Sequence, residues 1–355
     1  MPMDATARKR DPGRNGRYAR LTPPACVLVA LSIVSFACGG SAEDAGPSPI
    51  QGTPFVTPAA GLPPVPPDSA EKAGLLVYRD TVAAQVFALN LSTGERLPLA
   101  NSLRVAAASI TAFDCTRDGR LIAYSNSAAD GRISIISFAG EGARIQSIEV
   151  RGTLLGMAWA PGGERIAMGV ADETGYHLAL LDVNSGETTT LPLPKGSPSA
   201  PRWSPDGQRL VFSIEDNGRA DIHLLDIATN NLVKVSTRPA AFNADWSPDG
   251  STIVFSAGDD QGGLPQLYLV NADGTNERKL TASTSQKSSP RWSLDGSLIS
   301  FSGLVLTPAV SVRPVLLHNQ AVWVAGADGT NETPITELAL DALPLAWCLR
   351  GAWLQ

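Results

Sequence analysis

"PRWSPDG" at 201–207, "ADWSPDG" at 244–250 and "PRWSLDG" at 290–296 set a tryptophan, a turn and an Asp-Gly pair in the same order three times. Weaker copies stand at "DCTRDG" (114–119), "AWAPGG" (158–163) and "AWCLRG" (346–351). Aligned on the closing glycine, the marker positions are Cys115, Trp159, Trp203, Trp246, Trp292 and Trp347, at intervals of 44, 44, 43, 46 and 55 residues. Five of the seven tryptophans fall on this one position.

Each marker opens the same series of elements. From 201 it runs "PRWS", the turn "PDG", "RLVFSI", a polar gap, "DIHLLDI", the turn "ATNN" and "LVKVS", which reads as four short strands. In the first turn Pro presets φ, Asp bonds the local backbone and Gly accepts positive φ. The second hairpin turn recurs as "ADGTNE" at 272–277 and 327–332. Strands such as "RLVFS", "TIVFS", "LIAYS" and "LISFS" are apolar on successive residues, so both sheet faces must be covered. Units of this length and content predict a β-propeller, with the recurring Trp wedged between adjacent blades as an architectural filler.

Counting predicts six blades over 74–355. Five markers begin complete blades, whereas Trp347 is followed by only eight residues. The missing strands stand at the other end, as "LLVYRD" (75–80), "VFALNL" (86–91) and "STGERLPL" (92–99), so the two termini are expected to share one composite blade. Such closure removes open sheet edges.

With its spacing on the page, the repeat resembles the WD-like propeller repeat of TolB-type proteins, six-bladed periplasmic propellers, over about four fifths of the chain. The resemblance implies a non-catalytic protein- or peptide-binding or scaffolding role at the bacterial envelope, with docking at the propeller mouth. TolB carries an α/β domain ahead of its propeller, and a proline-rich stretch occupies that place here.

The leading residues read as an export signal. Residues 1–37 hold six basic residues against Asp4 and Asp11, and end in the apolar run "ACVLVALSIVSFA" (25–37), short for a membrane span. Cys38, followed by "GGS", resembles the lipidated cysteine of a bacterial lipobox, which would make membrane attachment a matter of a lipid anchor. Ser35 and Ala37 equally satisfy ordinary signal cleavage, and a retained membrane anchor is the third option. Residues 38–73, with eight prolines, are expected to be a flexible tether. Without 1–37, 22 basic and 32 acidic residues remain, a balance that argues against nucleic acid as a partner. An exported monomer is expected, lipid-anchored at the cell membrane or periplasmic or extracellular.

Cys115 replaces a marker Trp and Cys348 follows one. They belong to the blades that adjoin at closure, and are either a disulfide stapling it or two buried unpaired thiols. One position before each marker stand Asp114, Ala158, Arg202, Asp245, Arg291 and Ala346, on the innermost strands. The charges form either a polar binding ring at the channel mouth or salt bridges that neutralise one another. An acidic rim at 127–130, 171–175, 214–218 and 257–263 is a solvated edge or a site for a cationic partner or Ca²⁺. The insertion at 303–320, apolar with two prolines, is a contact surface or a cover for the ring mouth.

Catalytic signals are poor. His177, His223 and His318 lack the partners of a helical zinc motif, and neither a Gly-x-Ser-x-Gly elbow nor a phosphate loop is present. No cofactor, metal or catalytic residue is assigned. The alternative is a propeller enzyme of lactonase or sugar-lyase type with a metal-dependent site in the central channel.

Overall fold

The structure, a computed structural model, describes residues 73–80, 85–99, 110–126, 132–138, 143–258, 263–281, 285–304, 320–336 and 342–348. The expected signal segment, Cys38, the proline-rich stretch to residue 72, the loop 127–130, residues 259–262 and the insertion residues 305–319 with His318 lie outside them. Among the described residues, 24 strands form six four-stranded antiparallel sheets.

Blade 1 holds β1 (Leu75–Asp80), β2 (Gln85–Asn90) and β3 (Arg96–Pro98). Blade 2 is β4 (Ile110–Cys115), β5 (Leu121–Asn126), β6 (Arg132–Phe138) and β7 (Ala143–Glu149). Blade 3 is β8 (Thr153–Trp159), β9 (Arg165–Asp172), β10 (Gly175–Asp182) and β11 (Thr188–Leu191). Blade 4 is β12 (Ser197–Trp203), β13 (Arg209–Asp216), β14 (Arg219–Asp226) and β15 (Leu232–Lys234). Blade 5 is β16 (Ala241–Trp246), β17 (Thr252–Ala257), β18 (Gln266–Asn271) and β19 (Arg278–Lys279). Blade 6 is β20 (Lys287–Trp292), β21 (Leu298–Leu304), β22 (Gln320–Gly326) and β23 (Thr333–Pro334). The last strand, β24 (Ala342–Cys348), pairs with β1 and completes blade 1 in the order β24-β1-β2-β3. The fold is an all-β, six-bladed propeller closed by a composite blade.

Buried apolar residues sort into six clusters, one per seam between blades. Successive residues of each second strand face opposite seams: Leu210 packs in the seam of blades 3 and 4, and Val211 in that of blades 4 and 5. This explains the unalternated apolar runs. The marker residue of each blade fills the seam with the preceding one. Trp159, Trp203, Trp246 and Trp347 are buried there, Trp292 is half-buried, and Cys115 takes the place at the closing seam of blades 1 and 2.

The marker turns touch each other around the ring. Gly119, Gly163, Gly207, Gly250 and Gly296 are at positive φ, and the last three lie against the prolines of the preceding turns, Pro161, Pro205 and Pro248. Within the turn, Ser204 Oγ donates to Asp206 Oδ1 and accepts from the Arg209 N–H, which ties strand to turn. Among the described residues no helix is long and apolar enough to cross a membrane.

Every innermost strand, or its pairing with the next, carries a register shift ahead of the marker, directly before the residue preceding it in β12, β16, β20 and β24 and farther upstream in β4 and β8. In β12, β16 and β20 a residue at positive φ marks it: Ala200, Asn243 and Ser289. In β8 the corresponding site is Gly156, where a Cβ would meet the Ala200 backbone of blade 4 at 2.9 Å. Bulges on edge strands re-aim the side chains that follow them, and in β12, β16 and β20 those are Arg202, Asp245 and Arg291.

Candidate functional site in the central channel

Asp114, Arg202, Asp245 and Arg291 come from blades 2, 4, 5 and 6 and lie at the marker-turn end of the innermost strands. Arg291 is buried at 9% exposure. Asp114, Arg202 and Asp245 are half-buried. Two of the rim turns, at 171–175 and 214–218, join second to third strands and so lie at the opposite end. These two turns and the four charged residues are therefore not one site.

Each charge is anchored across a seam by the backbone of a neighbouring blade. Asp114 Oδ2 accepts the Trp159 N–H at 2.8 Å, and Asp245 Oδ2 accepts the Trp292 N–H at 2.8 Å. Arg202 Nη1 donates to the Met157 carbonyl at 2.7 Å. Arg291 donates from Nη1 to the Pro290 carbonyl at 2.8 Å and from Nε to the Leu345 carbonyl at 3.3 Å. Met157 and Leu345 each precede an alanine of the ring, Ala158 and Ala346, so a guanidinium reaches onto each strand whose own residue at this position is small.

The expected direct salt bridges are not formed among the four. Each is bonded to backbone groups instead, and the charges still act on one another's protonation. Burial pushes the Asp114 and Asp245 carboxyls above the usual carboxylate range, against the pull of both arginines and their hydrogen bonds. Burial, then the like charge of Arg202, pulls Arg291 down to about 9, still protonated at neutral pH.

Cys115 and Cys348 are joined as a disulfide with Cα atoms 6.3 Å apart and a sequence separation of 233. The bond crosses the seam of blades 1 and 2. Asp114 reaches away from that seam to blade 3, and Ala346 offers no polar group to it.

Among the described residues no three His, Cys, Asp or Glu side chains gather as a metal-binding group. His177 Nε2 lies 3.8 Å from Asp172 Oδ2, and His223 Nδ1 lies 3.1 Å from the Asp221 carbonyl; the two histidines stand on different blades. The inner-strand bulges escaped the sequence reading, though Gly156 and Asn243 inside strand patterns were a usable signal. Lys287 escaped it too. It is 1% exposed, pairs with Glu332 at 2.8 Å and lies over the Phe301 and Trp323 rings, and nothing in "QKSSPRW" foretells that burial.

The class defined by this fold is the closed six-bladed β-propeller. Residues 141–305 match the family described as the TolB beta propeller domain. Two solved structures of that type are similar: TolB from Acinetobacter baumannii (14% identity, TM-score 0.61, 82% of this chain and 69% of that one) and a putative TolB from Agrobacterium tumefaciens (18%, 0.56, 78% and 92%). A chain in a nidogen–laminin complex shares the fold at 10% identity, with TM-score 0.54 over 76% of this chain and 93% of that one. Among curated proteins none matches.

Proposed function

We propose that this chain is an exported, non-catalytic propeller that binds a protein or peptide partner at the bacterial envelope and is held to the membrane by a lipid on Cys38. The match of residues 141–305 to the TolB beta propeller domain carries the reading. The Cys115–Cys348 disulfide supports export, because such bonds persist in oxidising compartments. The channel carboxylates are engaged with backbone N–H groups across seams, a positioning that suits a rigid platform.

Photocrosslinking in intact cells tests it, with the probe at exposed Tyr176 on one face or Asn230 on the other. A discrete adduct with one envelope protein from one face and not the other is expected. Absence of any adduct from both faces overturns the binding role. Retention of the chain in the membrane fraction after Cys38→Ser overturns the lipid anchor.

A further inference from the structure

The outermost strands of the six blades are not alike. An outer strand leaves a row of backbone N–H and C=O groups unpaired on its far side, and proteins blunt such edges by keeping them short or by placing proline or lysine on them. Five of the six follow that rule. β3 has three residues and ends in Pro98, β11 has four and is followed by Pro192, and β15 has three and ends in Lys234. β19 is the pair Arg278–Lys279, and β23 is the pair Thr333–Pro334.

β7 departs from it. It pairs with β6 over seven residues, Ala143 to Glu149, and "ARIQSIE" holds neither proline nor lysine. Among the described residues no strand pairs with its other side. Ile145 is 43% exposed there, and Gln146, Ser147 and Glu149 are exposed beside it. The proline-rich stretch cannot pair along such an edge, since between Pro47 and Pro67 no proline-free run exceeds four residues.

The strand is complementary to itself. One antiparallel register pairs all seven residues with those of a second copy, about a two-fold axis normal to the sheet at Gln146. It sets Ala143 opposite Glu149, Arg144 opposite Ile148, Ile145 opposite Ser147, and Gln146 opposite its counterpart. No like charges face each other, and the two Ile145 side chains become diagonal neighbours on one face. Glu149 keeps Arg132 of β6 as its cross-strand neighbour on the other side. Self-pairing favours a second copy over an unrelated peptide, because one contact covers both isoleucines and asks for no complementary charge from elsewhere.

We propose that β7 is a homodimerisation edge, at which a second copy of this chain adds its own β7 antiparallel and joins two four-stranded blades into one continuous sheet. A dimer then replaces the monomer expected from the sequence. The contact lies on the circumference of the ring, so it leaves both loop faces free for a partner of another kind.

Cysteine pairing in the purified full chain, under air with a copper catalyst and with the parent chain as background, tests the contact. The two Gln146 Cα atoms stand opposite each other within disulfide reach, whereas the two Arg144 Cα atoms lie about 13 Å apart along the strands. Gln146→Cys should therefore give at least about tenfold more disulfide-linked dimer than Arg144→Cys. Light scattering behind size exclusion, in one detergent throughout, should show the parent chain passing from monomer to dimer below about 200 µM. Ile145→Lys, at a position open to solvent in the single chain, should move that midpoint up by about tenfold or more, and circular dichroism checks that it folds. The proposal is overturned if the parent chain stays monomeric throughout, if Ile145→Lys leaves the midpoint unchanged, or if Gln146→Cys links no better than Arg144→Cys. An adduct with an envelope protein from Tyr176 or Asn230 is a separate matter and survives any of these results.

Discussion

Trp246 and Trp347 fill equivalent seams, but their indole N–H groups meet different surroundings. Trp347 Nε1 donates to Ser300 Oγ at 2.9 Å, while Trp246 Nε1 is buried without a partner. Trp246→Phe removes an unpaired polar group along with some volume, so it should cost less than Trp347→Phe, which takes the shorter of two bonds from the buried Ser300 hydroxyl and leaves it the 3.5 Å bond to the Arg291 carbonyl; the difference should be about 1 kcal/mol by urea unfolding. The channel aspartates set a pH dependence of opposite sign to that of the turn aspartates. Burial raises Asp114 and Asp245 above 3.8, the ordinary carboxylate value, so their stabilising share is full below 3.8 and is lost as pH rises through the raised folded value. Asp206 and Asp249 are lowered, first by the serine hydroxyls they accept from, so theirs is present above 3.8 and lost as pH falls through the depressed folded value. Chemical denaturation across pH should therefore show Asp245→Asn flattening the decline on the rising side of 3.8, and Asp249→Asn flattening the acid limb.

At the scale of the element, the marker turn shows why its glycine recurs and where it is dispensable. Gly296 sits at φ +75°, and a Cβ there would lie 3.3 Å from Pro248 of the preceding turn. Gly296→Ala should cost about 1–2 kcal/mol from the left-handed backbone alone, and somewhat more from the proline contact. Gly162, one position earlier in its own turn, has an ordinary φ and nothing within 4 Å of a built Cβ. Gly162→Ala should stabilise by about 0.4–1 kcal/mol through the unfolded state, and the pair of melting temperatures checks both. These turns and the strands behind them were legible in the sequence, because a turn must use residues with the right backbone freedom and a doubly covered strand must be apolar throughout. The bulges were not, since a two-against-one pairing depends on the partner strand, and Ala200 gives no local sign of its positive φ. The four charges were visible as residues one step before the marker. Their anchoring across seams was invisible, because it depends on backbone atoms some 45 residues away, as with Asp114 and Trp159.

At the scale of the whole molecule, the ring closes where its chain ends meet, and that seam is built unlike the others. Its marker is Cys115 instead of a tryptophan, and the nearest charged ring residue, Asp114, is committed to blade 3. What crosses it is the cluster around Val77, Phe113 and Ile122, the Arg79 Nη1 bond to the Ile110 carbonyl at 2.8 Å, and the Cys115–Cys348 disulfide. The disulfide closes a loop of 233 residues, for which chain entropy in the unfolded state gives an upper figure of about 5 kcal/mol. Replacing both buried cysteines by alanine leaves no stranded polar atom, so Cys115→Ala/Cys348→Ala should retain the ring but lose about 2–5 kcal/mol. The loss should also be local at first. β24 is held in blade 1 by its pairing with β1, and an edge freed there offers unpaired N–H and C=O groups to other chains. Hydrogen exchange should show β24, β1 and β4 losing protection before blades 3 to 5 in the double variant, with dimers appearing as protein concentration rises. Protection lost evenly over all six blades would mean that the seam of blades 1 and 2 is as strong as the rest without its covalent bond, and that the disulfide acts on the unfolded chain alone.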